Sequence, residues 1–181
     1  MVYGDSVLKR LIKTENLIEN LYSEDSINPA SINLHLGRSF AIPKPTNRTI
    51  SLGEHVDYIY YNDLTFYIIR PGEFLLATTM EKVNIPKRSA AFVQGRSSIG
   101  RLSLSVQNAG YIDPGFRGEI TLELKNEGPN CIKLLAGYPI CQLIVVDACD
   151  VINAYSGKYV DQTGATGTRM YMDNFKEINN D

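Results

Sequence analysis

An all-β fold, of the sandwich or jelly-roll kind and preceded by one helical segment, follows from three observations. Apolar residues recur at helical spacing only near the N-terminus. From Ser31 onward the chain is broken into short runs rich in β-branched and aromatic residues. Those runs are separated at close intervals by turn residues, namely Pro71-Gly72, Pro86, Gly110, Pro114-Gly115, Gly128-Pro129 and Gly137. Many short strands with one apolar face each need a second sheet, or closure of the first, to cover that face.

The elements follow in order. Val7, Leu8, Leu11 and Ile12 after Asp5, a candidate N-cap, and then Leu17, Ile18 and Leu21, predict a helix over 5–22. Asn28-Pro29 ends it. Strands are expected at 65–69, 74–79, 90–93, 119–125 and 140–146, and an exposed loop at 43–48. Residues 157–181 lack sustained apolar periodicity, which marks them as a mobile segment. There is no internal repeat, and 181 residues suit one domain, 1–181.

Composition narrows the function. With 44% hydrophobic and 21% charged residues the chain has the make-up of a folded globular domain. A formal net charge of -2 gives no basic field for nucleic acid, so a small ligand is expected. No apolar run approaches the length of a membrane span, and the N-terminus lacks a charged segment followed by an apolar one, which predicts no membrane partner and a cytoplasmic location. Cys131, Cys141 and Cys149 are odd in number and widely spaced, and read as small core residues in a reducing compartment. No His-x-Glu with Pro-Cys-x-x-Cys is present, so a zinc-bound hydroxide has no ligand set and no metal-ligating residues are assigned. His35 and His55, the only histidines, are read as structural or solvated.

Two stretches have the composition of a site. Gly95 to Arg101, GRSSIGR, places Arg96, Ser97, Ser98 and Arg101 in a Gly-flanked turn; such a turn suits phosphate oxygens, and equally a solvated polar turn. In QNAGYIDPGFRG, small residues permit close backbone approach to a ligand, while Asp113 before Pro114 also fits an ordinary turn. The strand that follows alternates strictly, with Ile120, Leu122 and Leu124 on one face and Glu119, Thr121, Glu123 and Lys125 on the other. By pattern alone Glu123 is a surface residue.

The order GRSSIGR, QNAGYIDPGFRGEITLELKN, YPICQL, GKYVDQTGAT across roughly 30–168 closely resembles the dCTP deaminase branch of the trimeric dUTPase superfamily. The resemblance implies a distorted jelly-roll β-barrel, a homotrimer with shared active sites, and a C-terminal lid formed by 157–181. It further implies a deoxynucleoside triphosphate substrate and Mg2+ carried by the triphosphate rather than by the protein. Within it, Arg96, Ser97 and Ser98 line the phosphate and base region, and Arg101 orients the catalytic carboxylate. Gln107, Asn108, Ala109, Gly110 and Tyr111 contact substrate, while Asp113 holds the sugar and the water that attacks the α-phosphate. Gln142 matches a further binding glutamine, Lys158 and Gln162 match phosphate contacts in the closing tail, and Tyr159 beside them is assigned to substrate binding.

Glu123 stands where the deaminases carry glutamate and pure dUTPases an apolar residue, so the resemblance makes it the catalytic carboxylate. The chain departs from the family in having Asn33 where an aspartate is common. It also has eleven residues between Arg101 and Asp113, one fewer than in many dCTP deaminases. Glu123 together with Asp113 implies deamination of dCTP coupled to cleavage to dUMP. The alternatives are a dUTP pyrophosphatase, a deaminase that releases dUTP, and a nucleotide-binding regulator without turnover.

Overall fold

The computed structural model describes residues 1–107 and 110–173. Helix α1 (Asp5–Glu15) buries Leu8 and Leu11 against the sheet. Its N-cap is Gly4 rather than Asp5; Asp5 occupies the first turn, where a carboxylate complements the helix dipole. The helix also stops earlier than the expected 22. Asn16 takes the left-handed conformation (φ 52°), and its N–H closes onto the Leu11 carbonyl, an end that asparagine tolerates well. Leu17 and Ile18 are buried, but not in a helix: Leu17 leads into β1 (Ile18–Glu19), which pairs with Val83 and Lys82. Over so few residues apolar spacing does not distinguish a last helical turn from a short strand.

The remaining strands are β2 (Ile27–Asn28), β3 (Ser31–Pro43), β4 (Tyr58–Tyr61), β5 (Phe66–Ile69), β6 (Phe74–Asn84), β7 (Ser89–Gly95), β8 (Leu104–Gln107), β9 (Tyr111–Ile112), β10 (Arg117–Asn126), β11 (Ile132–Leu135) and β12 (Pro139–Asp147). A four-residue helix, α2 (Ser97–Gly100), separates β7 from β8. One curled ten-stranded sheet runs in the order β8-β10-β6-β3-β12-β7-β9, with β1, β2 and β4 added at its flanks, while β5 and β11 pair on their own. All five expected strands are present, and the architecture is the all-β, jelly-roll kind.

β3 joins the two halves of this curl. Its first residues pair with β12, and from Leu36 onward it pairs with β6 and β4. The changeover falls at Gly37, where a Cβ would lie 2.5 Å from Thr78 Cγ2 and 3.0 Å from the Thr78 and Thr79 carbonyl oxygens. Only glycine lets the two backbones approach this closely. The space enclosed is filled by one continuous cluster that includes Ile32, Leu34, Phe40, Leu75, Leu122, Leu124 and Leu143, all fully buried. Of the cysteines only Cys141 belongs to it. Cys131 and Cys149 are exposed, which corrects the expectation that all three are core residues.

The histidine expected to be structural has a defined place. His35 Nδ1 lies 2.6 Å from Glu81 Oε1, its backbone N–H donates to Glu81 Oε2 at 2.8 Å, and the Tyr22 ring stacks on the imidazole at 4.1 Å. Glu81 is fully buried. Removing one partner of a buried pair strands the other without solvent, at a cost of about 3–5 kcal/mol. Glu81→Ala is therefore expected to lower the urea midpoint by that equivalent at constant slope. An unchanged midpoint would show the pair to be dispensable.

Candidate active site

β10 positions the central carboxylate. Its inward residues Ile120, Leu122 and Leu124 are buried as the alternation predicts, which leaves Glu119, Thr121, Glu123 and Lys125 half-buried on the opposite face. Glu123 sits opposite Leu76 of β6 and Gln107 of β8. It thus projects from a strand hydrogen-bonded on both sides, a rigid mount for a reacting group.

That face floors a cleft of about 440 Å³, a volume in the range of small-molecule sites. Leu76, Phe74, Thr121 and Glu123 line it from the sheet; Gly110, Tyr111 and Asp113 from the turn around β9; Tyr155 from the segment before the tail; and Tyr159, Gln162 and residues 166–168 from the tail. The turn that carries Asp113 closes through the Phe116 N–H donating to the Asp113 carbonyl. Its Gly115 has φ 87° and faces Ala154, where a Cβ would come within 2.6 Å of the Ala154 Cβ. Tyr111 is exposed and meets Phe92 edge to face at 5.5 Å. Above the floor, Ala165 of the tail is buried against Ala41, Leu76, Tyr58 and Phe74.

The structure thus gathers Glu123, Asp113, Gly110, Tyr111, Tyr159 and Gln162 around one cleft, and leaves other expected site residues off it. Arg96 donates from Nη1 to the Pro139 carbonyl at 3.1 Å. Ser97, Ser98 and Arg101 lie on or beside α2 with their side chains exposed, held in place by buried Ile99. Gln142 is paired in register with Gln94 and Asn33, and its amide donates to Ser31 Oγ at 3.3 Å. Lys158 Nζ pairs with Asp173 at 2.5 Å. The backbone of Gln107 belongs to β8; Asn108 and Ala109 lie outside the described residues, as does the tail beyond 173.

Residues 157–173 are docked along the sheet. The Arg117 guanidinium forms a two-pronged pair with Asp161, which holds the Asp161 carboxyl below its usual range, chiefly through that hydrogen bond. The Gln162 side-chain amide donates to the Glu119 carbonyl at 2.8 Å. Sequence reasoning did not single out Tyr58, Thr121, Tyr155 or Thr166 as lining residues. For Thr121 a signal existed, since the alternation puts it on the face of Glu123; Tyr58 comes from a distant strand with no local mark.

Among the described residues no group of three or more His, Cys, Asp or Glu converges to hold a metal ion. Among them, too, no helix is long and apolar enough to cross a membrane. A second depression, lined by Lys87, Arg88, Asp147 and Cys149 among others, carries mixed charge and none of the expected site residues.

Comparison with known proteins bears on the family and the fold of the chain. The family model described as dCTP deaminase-like matches residues 2–148. The chain is 37% identical over 179 residues to a protein of Persephonella marina named "dCTP deaminase, dUMP-forming", with 96% of this chain and 99% of that protein covered. It is 39% identical over 174 residues to a protein of the same name from a Hydrogenobaculum species, covering 96% and 98%. Among solved structures, the 2'-deoxycytidine 5'-triphosphate deaminase of Agrobacterium tumefaciens superposes with a TM-score of 0.63 at 19% identity. That match covers 80% of this chain but only 47% of the solved one, and supports the fold alone.

Proposed function

Because this chain belongs to the dCTP deaminase-like family, we propose that it converts dCTP to dUMP, first by hydrolytic deamination at C4 of the cytosine and then by cleavage between the α and β phosphates. The observation that carries this reading is the placement of Glu123 and Asp113 on one cleft, the first on a rigid strand and the second on a turn.

Deamination needs two proton transfers. Water gives up one proton as its oxygen bonds to C4, and ring N3 takes it; the new C4 hydroxyl then gives up the second as the carbonyl forms, and the amine takes it and leaves as ammonia. A single carboxylate within reach of C4 and N3 carries both, and Glu123 is assigned that role. Ser97 and Arg101 are assigned to orient the water and the carboxylate, which supplies by positioning what a metal-bound hydroxide supplies elsewhere. In the second step Asp113 positions and deprotonates a water that attacks the α-phosphorus, and diphosphate leaves. The sum is dCTP and two waters giving dUMP, diphosphate and ammonia.

Arg96, Ser97, Ser98, Arg101 and Gln142 do not line the cleft that holds Glu123. This supports a homotrimer in which neighbouring copies bring those residues to it. Magnesium is assigned to the triphosphate oxygens, a donor set that suits this hard cation better than the sparse acidic groups of the cleft. When bound it neutralises charge on the phosphates.

Asp113→Asn keeps the side chain's size but removes the base, so dUMP formation from supplied dUTP is expected to fall by about 10²-fold. Equal rates for variant and parent would remove Asp113 from the phosphate step. A parent that leaves dUTP intact would reduce the activity to deamination.

A further inference from the structure

Glu119 does not line the cleft, yet its side chain and backbone both hold the tail that forms one wall of it. Glu119 Oε2 accepts the Gly164 N–H at 2.6 Å and the Thr78 hydroxyl at 3.1 Å. Its own N–H donates to the Gln162 carbonyl at 3.0 Å, and its carbonyl accepts the Gln162 side-chain amide. The neighbouring tail N–H groups are captured in the same way: Ala165 by Ser39 Oγ at 2.9 Å, Thr166 by Thr121 Oγ1 at 3.1 Å, and Thr168 by the Tyr58 hydroxyl at 3.2 Å.

We propose that Glu119 is a positioning residue that latches the tail in its closed place through Gly164, and so sets the cleft wall made by Tyr159, Gln162 and residues 166–168. Of the four side chains that accept these N–H groups only Glu119 is a carboxylate, and hydrogen bonds to charged acceptors are about twice as strong as neutral ones. It is half-buried, where solvent screens less, and the Thr78 hydroxyl fixes its second contact. Gly164 adopts φ 68°, and a Cβ there would sit 3.1 Å from Ser39 Oγ, so the chain turns at this residue to bring its N–H to the carboxylate. Glu119 and Glu123 share one face of one strand, which ties closure of the tail to the side of the sheet that carries the reacting carboxylate.

The test is tryptic cleavage after Lys158 and Arg169 in the full chain without nucleotide, for the parent, Glu119→Ala, Glu119→Gln and the exposed control Glu127→Ala. Cleavage of a segment that recloses quickly tracks its open fraction. Glu119→Ala is expected to be cut at these sites about tenfold faster, the scale of one lost charge-assisted hydrogen bond. Glu119→Gln, whose amide oxygen still accepts from Gly164, is expected to fall between, and the control to match the parent. Cleavage of Glu119→Ala at the parental rate, or a rise matched at sites throughout the core, would overturn the proposal.

A second readout rests on the function proposed above: Glu119→Ala should raise KM for dCTP with little change in kcat. The same substitution in a chain truncated after Ser156 should add nothing, since the latch then has nothing to hold. An equal KM increase in both backgrounds would overturn the latch. A parent inert toward dCTP would instead count against the proposed function and leave the protease result standing.

Discussion

Glu123→Gln is expected to reduce ammonia release from dCTP by about 10²-fold or more, the usual scale for loss of a general acid–base group. The two side chains have nearly the same shape, and position 123 is half-buried in the middle of β10, paired to Leu76 and Gln107 through the backbone. Those backbone bonds do not depend on the carboxylate, so the sheet and the cleft should persist and the loss should appear in kcat. An amide cannot take the two protons of the attacking water in turn and pass one to N3 and the other to the leaving amine. Hydrolysis of supplied dUTP, assigned to Asp113, should suffer much less. Ammonia release at the parental rate would remove Glu123 from the chemistry.

The second large effect concerns the division of the site between copies. Arg101 lies beside α2 with its side chain exposed and does not line the cleft that holds Glu123. If the arginine at each cleft comes from a neighbour, Arg101→Ala and Glu123→Gln assemblies, each nearly inactive, should complement one another after subunit exchange. Random assortment in a closed three-fold ring joins an intact cleft to an intact arginine at about one site in four, so recovery to roughly a quarter of parental activity is expected. Activity that stays at the sum of the two variants after exchange would mean that each chain serves its own cleft.

What was legible in the sequence has a physical pattern. The alternation across 119–125 gave both the strand and its buried face, because a period of two depends only on which residues meet the core. The same alternation placed Glu123 at the surface, and that too is correct for an isolated strand; the docked tail turns the position into a cleft. The end of α1 was not legible, since Leu17 and Ile18 are buried in either a helix or a strand, and the choice is made by pairing with Val83, 65 residues downstream of Ile18. Nor was the crossing of β3 at Gly37, which depends on how closely Thr78 and Thr79 pass. The tail looked structureless because its anchors are backbone N–H groups caught by Glu119, Ser39, Thr121 and Tyr58, contacts that leave no apolar period.

Following the purified protein with dCTP and Mg2+ and quantifying every product over time separates coupled deamination from its alternatives. One ammonia and one diphosphate are expected for each dUMP, from the first turnovers onward. Intact dCTP with no ammonia released, in a sample that hydrolyses dUTP, would contradict the deaminase assignment.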